Sequence, residues 1–243
     1  MTAPAGPPTQ EEVRRVRRRL LRWWNRQSRD FWWREERDPY TIAVVEILLK
    51  QTRASTVAAL LHDFVRRYPD PETLLRATEV DLVEQLRPFG FHRQRARHLL
   101  DFAAAVAADP DVLNRATPAL RGLPGLGLYA SAAVSVFAHG RRETVIDVNV
   151  VRIFSRLWAI STPRGELRKS AVIAGIGTMW SATSRPREAN WALLDLGALV
   201  CVERRPRCES CPLLNLCDFG SSYLDEGSRS REVAVSPLKS TSR

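Results

Sequence analysis

The chain has 243 residues, 44% of them hydrophobic, which is enough for a packed core and excludes wholesale disorder. Lysine and arginine number 37 against 27 acidic residues, a net charge of +10 spread along the chain, which suits a nucleic-acid partner or a merely soluble basic protein. No apolar run reaches the ~20 residues that cross a bilayer and residues 1–8 lack a secretory apolar core, so no membrane association is expected. The expected location is the cytoplasm, associated with the nucleoid if DNA is the partner, where thiols stay reduced.

Residues 1–8 and 221–243 have the composition of disordered tails. Between them a helical period repeats nearly throughout, with no internal repeat and no hairpin signal, so the fold class is all-α. Thr9 with Glu12 predicts a capping box before a basic amphipathic helix over 13–25. Apolar residues at three- and four-residue spacing predict helices over 42–49, 54–68, 79–86, 93–108, 129–138, 150–159, 167–179 and 189–199. Pro69, Pro71, Pro88, Pro110, Pro118 and Pro163 are expected between helices.

Four places along this helical chain carry chemistry. Glu46 is a single acid within the apolar run 42–49. A buried carboxylate there is costly and has its pKa raised, which suits a general acid or base; the alternative is that it faces solvent on one helical edge. Leu123-Pro124-Gly125-Leu126-Gly127 lies between two helices. Its glycines let the main chain approach a phosphate while the following helix aims free N–H groups at that anion, although an ordinary inter-helix turn has the same composition. Asp147, in Val145-Ile146-Asp147-Val148-Asn149, reads as a helix N-cap, as a fixed catalytic anion, or as both. Cys201, Cys208, Cys211 and Cys217 follow a C-x6-C-x2-C-x5-C spacing. Zinc suits the Cys208–Cys211 pair, whereas the longer flanking loops suit the wider corners of a four-iron, four-sulfur (4Fe-4S) cluster.

The cysteine spacing, with the run Asn190-Trp-Ala-Leu-Leu-Asp195-Leu-Gly197-Ala-Leu-Val-Cys201 leading into it, resembles the end of the catalytic domain in endonuclease III and the adenine DNA glycosylases. The L-P-G-x-G run resembles the helix-hairpin-helix of the same superfamily, and V-D-x-N-V-x-R resembles its catalytic-aspartate segment. The resemblance runs from about residue 30 to residue 217. It implies a DNA base-excision glycosylase with two helical lobes: one over 30–140 holding the helix-hairpin-helix, the other formed by 9–29 with 141–220 and holding a 4Fe-4S cluster on the four cysteines. Glu46 and Asp147 are then expected to face each other across a cleft. The implied partner is double-stranded DNA with a mismatched or damaged base, and the expected state is a monomer.

The resemblance also assigns roles to residues that spacing alone does not. Lys50, Gln51, Thr52 and Arg53 stand where relatives wedge into the space left by an extruded base. Gly90-Phe91-His92-Arg93-Gln94-Arg95-Ala96 resembles a second DNA-contacting turn, which nominates Phe91, Arg93 and Arg95. Leu123, Gly125 and Gly127 would hold the backbone. Bifunctional relatives carry a Schiff-base lysine where this chain has Tyr129, so a monofunctional enzyme is implied. Trp32 stands where relatives have proline, and Trp23, Trp24, Trp32 and Trp33 suit core packing more than a base pocket.

The expected substrate is thymine or uracil opposite guanine. Mismatch-specific thymine glycosylases carry a tyrosine at position 129 and end soon after the cluster, and only 26 residues (243 − 217) follow Cys217 here. Adenine opposite guanine or 8-oxoguanine is the alternative, favoured by Gln51-Thr52. A non-catalytic iron-sulfur DNA-binding redox sensor is an alternative of another class, which leaves Glu46 and Asp147 idle.

Overall fold

The structure, a computed structural model, describes residues 6–52, 54–160 and 170–224, and every regular element among them is helical. Eleven α-helices are described: α1 (Gln10–Gln27), α2 (Pro39–Leu49), α3 (Ala54–Arg67), α4 (Pro71–Leu75), α5 (Glu79–Leu86), α6 (His92–Ala108), α7 (Thr117–Leu120), α8 (Leu128–Phe137), α9 (Val148–Leu157), α10 (Ala171–Ser181) and α11 (Pro186–Leu199). None is long and apolar enough to cross a membrane.

Two of the expected inter-helix prolines, Pro71 and Pro118, instead lie in the first turn of α4 and α7. A proline there forfeits no hydrogen bond, because the first N–H groups of a helix have no partner to lose. These helices are too short to show a period in sequence. Near the end of the described chain, residues 218–224 are helical and Phe219 stacks on Tyr223 at 5.5 Å, so the expected tail at 221 does not begin there. Residues 1–5, 161–169 and 225–243, which hold most of both expected tails and the start of the expected helix over 167–179, lie outside the described residues.

The chain divides into two compact units. One joins the chain up to Ser28 to Ile146–Trp180 and to the chain from Glu188 onward. Its core gathers Val13, Val16 and Leu20 from α1, Phe154 and Leu157 from α9, and Leu193 and Leu196 from α11 around Trp180. The expected capping box starts α1: Thr9 N–H donates to Glu12 at 2.7 Å while Thr9 Oγ1 accepts from Glu12 N–H. Arg17, 7% exposed, donates to the carbonyls of Met179 and Trp180 at 2.9 and 2.6 Å. A cation at the negative end of α10 is favourable there, so α1 is fastened as well as packed. Trp24 stacks on Trp191 at 6.1 Å and donates from Nε1 to buried Asp195 at 2.9 Å. Trp24, like Trp23 beside it, is partly buried and packs against this core.

The other unit spans Arg29–Val145 with Ser181–Arg187. Helix α2 is its central rod, packed against α3, α6 and α8, and it buries every residue from Tyr40 to Leu48. Such a helix has no polar face to show a period, which fits its all-round apolar sequence. Asp38 caps it by accepting from Thr41 N–H at 2.8 Å, and Pro39 follows at the first helical position. Phe31 stacks on Trp33 at 4.5 Å, and Trp32 donates to the Ala58 carbonyl at 3.3 Å.

Candidate active site

Glu46 is 8% exposed, inside α2, so the solvent-edge alternative is ruled out. Three residues later the helix ends, and Arg95 answers that end. From α6, the Arg95 guanidinium donates to the carbonyls of Ile47 at 2.9 Å, Leu48 at 2.8 Å and Lys50 at 2.5 Å, and to Thr52 Oγ1 at 2.8 Å. Its Nε donates to the Gly90 carbonyl at 2.8 Å. These are the orphan carbonyls of a helix end, answered by a cation from another helix. Burial lowers the Arg95 pKa from its usual range, and no carboxylate is among its acceptors. The expectation that Arg95 contacts DNA is therefore corrected. At 5% exposure its donors are committed inside the protein, and it is a fastener.

That fastener holds two exposed residues in left-handed backbone conformations, Gln51 (φ 59°) and Phe91 (φ 48°, 62% exposed). Non-glycine residues rarely adopt this region, and strain of this kind gathers at functional sites. Thr52 joins the two segments again by donating to the Phe89 carbonyl at 3.2 Å. Lys50 and Arg93 are exposed. Arg53 lies outside the described residues.

The hairpin is built against the Glu46 turn of α2. Gly125 has φ 79°, which favours glycine, and a Cβ added there would lie 3.1 Å from two Ile47 side-chain atoms, which would have to give by a few tenths of an ångström. Gly127 is the N-cap of α8 and no side chain caps that end, an arrangement that suits an approaching anion. Leu123 has a buried side chain; its N–H donates to the Leu120 carbonyl and its carbonyl accepts from the Leu126 N–H. Tyr129 is the second residue of α8, half-buried, in a helix packed on α2.

In the other unit, Asp147 is the N-cap of α9. Its Oδ1 accepts from the backbone N–H groups of Asn149 and Val150, both at 2.8 Å, and its Oδ2 accepts from the Asn149 side-chain amide at 2.5 Å. Both oxygens are held and the group is half-buried, so it is a fixed anion at a helix N-terminus. Sequence reasoning assigned no role to Asn149, Arg152 or Arg156, although their i, i+3 and i+7 spacing puts them along one side of α9. Arg152 donates to Asn149 Oδ1 at 2.9 Å, to the Gly197 carbonyl at 3.0 Å and to the Cys201 carbonyl at 2.8 Å. Arg156 donates to Cys201 Sγ at 3.4 Å and to the carbonyls of Val202 and Glu203 at 2.7 and 2.9 Å, and covers the Phe219 ring at 4.6 Å. One helix thus carries the fixed carboxylate at its start and grips the cysteine loop further along.

The four side chains of that loop are thiols, the ligand type of iron-sulfur clusters and of structural zinc. The four cysteines lie within electrostatic reach of one another. Burial pushes the Cys211 thiol up to about 11 and raises those of Cys208 and Cys217. Gly220 N–H and the Arg156 guanidinium donate to Cys217 Sγ and Cys201 Sγ. Among the described residues no three His, Cys, Asp or Glu side chains form a group that could hold a metal ion.

Among the described residues, one unit thus has a glycine hairpin at a helix N-terminus, the other has a carboxylate fixed at a helix N-cap, and the chain carries a net charge of +10. Residues 44–172 match the model of the HhH-GPD superfamily base excision DNA repair proteins. The chain is 32% identical over 217 residues to the thymine-DNA glycosylase of Aeropyrum pernix, covering 85% of this chain and 95% of that one. It is 36% identical over 196 residues to the adenine DNA glycosylase of Mycobacterium tuberculosis, covering 80% of this chain and 64% of that one. The solved structure of a thermostable thymine-DNA glycosylase superposes with a TM-score of 0.78 at 30% identity, covering 87% and 98% of the two chains. The chain belongs to the HhH-GPD superfamily of base excision DNA repair proteins. Within it, the protein is a DNA N-glycosylase.

Proposed function

We propose that the protein is a monofunctional glycosylase that hydrolyses the N-glycosidic bond of thymine or uracil mispaired with guanine. The observation that carries the catalytic part is the Asp147 carboxylate, held at both oxygens. As the bond between C1′ and the base breaks, its electron pair leaves with the base and the sugar acquires oxocarbenium character. A preorganised anion stabilises that charge without reorganising, and it orients the water that adds to C1′. Glu46, a carboxyl group within an apolar helix, supplies or takes the proton exchanged on the base side. Tyr129 has no amine, so no imine with the sugar forms and the abasic strand is left intact.

DNA is held by the N–H groups at the start of α8 and by Gly125 and Gly127, contacts that position without reading sequence. Lys50, Gln51, Arg53, Phe91 and Arg93 support the opened duplex, with Gln51 and Phe91 as the strained, exposed members. Cys201, Cys208, Cys211 and Cys217 are the residues that would hold a 4Fe-4S cluster. When bound, the cluster supplies ligand bonds that tie the loop into one fold.

The similarity to a thymine-DNA glycosylase over 95% of that relative's length supports the pyrimidine substrate. Energetics support it too, because a wobble pair costs less to open than a Watson–Crick pair. The 36% identity to an adenine DNA glycosylase favours a second reading, adenine opposite guanine or 8-oxoguanine. Single-turnover rates on T·G, U·G, A·G and A·8-oxoguanine duplexes of one sequence decide between them. Thymine or uracil release is expected to be fastest; adenine release ahead by tenfold, about 1.4 kcal/mol in barrier, overturns the assignment.

A further inference from the structure

Helix α1 carries a row of arginines used by neither its packing nor the catalytic residues. Arg15, Arg19, Arg22 and Arg26 follow one another at i, i+4, i+7 and i+11, the spacing of one helical face. The opposite face buries Val13, Val16 and Leu20, so the row points away from the core. Arg15, Arg22 and Arg26 are exposed, and Arg19 is half-buried. Their neighbours are engaged elsewhere: Arg14 and Arg18 bridge to Glu11, and Arg17 caps α10. None of the four in the row forms a salt bridge among the described residues. Glu12, which feels the charge of Arg15, is held by the Thr9 cap, and that bond lowers its pKa.

Like charges at three- and four-residue spacing destabilise a helix unless a polyanion answers them. We propose that this row is a second duplex-binding face, which grips the phosphodiester backbone without reading sequence; it rests on the DNA glycosylase assignment. The geometry suits the partner. At 1.5 Å per residue the row spans about 16 Å, the axial length of roughly five phosphates on one strand. Arginine pairs with phosphate through two parallel N–H donors. The row is also preorganised, because Arg17 and Trp24 fasten α1 to its own unit.

The test uses the full chain, the variant R15Q/R19Q/R22Q/R26Q and a charge-matched control, R66Q/R76Q/R87Q/R115Q. Glutamine has nearly the helix propensity of arginine, so α1 stays folded, which circular dichroism checks. Affinity for an undamaged duplex is measured across salt concentrations. Each phosphate contact contributes about 0.9 to the slope of log affinity against log salt, so the α1 variant is expected to be shallower by about 3 to 4. Arginine-to-lysine changes at the same four positions keep the slope. Base release at saturating protein stays at the wild-type rate. An unchanged slope, or an equal loss in the control, overturns the proposal. So does a variant that keeps its duplex slope but loses retention on polyglutamate, which assigns the row to an acidic protein. Absence of base release from every duplex instead defeats the glycosylase assignment, which separates the two failures.

Discussion

The side-chain amide of Asn149 donates to Oδ2 of Asp147 at 2.5 Å, and the same residue's backbone N–H donates to Oδ1 at 2.8 Å. Asp147 is therefore both a helix cap and an aimed carboxylate, two roles that substitution separates. Asn keeps the cap through its Oδ1 but turns an N–H donor toward the Asn149 amide, so Asp147→Asn is expected to stay folded and to melt below the wild-type temperature by the loss of about one hydrogen bond, ~1 kcal/mol. It loses the anion, so base release falls by about 100-fold or more in single-turnover assays. A variant that turns over normally identifies Asp147 as a cap alone.

Gly197 of α11 packs against Asn149, which holds this cap. A Cβ there would lie 2.8 Å from the Asn149 Cβ, a distance that forces something to shift. Gly197→Ala is expected to cost about 1–3 kcal/mol and to slow base release by displacing Asn149. Gly175→Ala, in α10, is the contrast. Nothing lies within 4 Å of its added methyl, and alanine stabilises an exposed helical position by about 0.5–1 kcal/mol. Equal melting temperatures for the two variants would contradict this packing.

Arg95→Met leaves the end of α2 without its donors. The expected loss is ~3 kcal/mol, a fall in melting temperature of roughly 6–12 °C for a chain of this size. The slope of duplex affinity against salt stays unchanged, because this guanidinium reaches protein carbonyls. Arg93→Gln, an exposed neighbour, does the reverse: it leaves stability alone and reduces the slope by about 0.9. A salt effect at Arg95 equal to that at Arg93 would return it to the DNA contacts.

Anaerobically purified protein is expected to be brown, with broad absorption near ~400 nm and about four irons per chain. Cys208→Ser loses the colour and destabilises the unit that Arg152 and Arg156 tie to the loop. Colourless protein with one stoichiometric zinc refutes the cluster.

With Tyr129 in the lysine position, borohydride is expected to trap no covalent adduct during turnover, and abasic strands remain whole until alkali or heat breaks them. A trapped complex on a denaturing gel would expose an amine nucleophile elsewhere in the chain.

Much of this was legible in the sequence because it is local. The capping box at Thr9 and Glu12, the Asp147 cap and most helix spans depend on residues within a turn or two of one another, and periodicity reports them directly. The cysteine spacing and the glycine hairpin are local too. What sequence did not carry is the use of arginine. Arg95, Arg93 and Arg15 look alike in a basic chain, yet Arg95 is buried on the carbonyls of α2 while the other two face solvent. Likewise Arg152 meets Cys201 across 49 positions of chain. Whether a guanidinium answers a phosphate or a helix end depends on which carbonyls the fold leaves unpaired beside it. Those ends exist only once the helices have packed, so tertiary structure alone decided it.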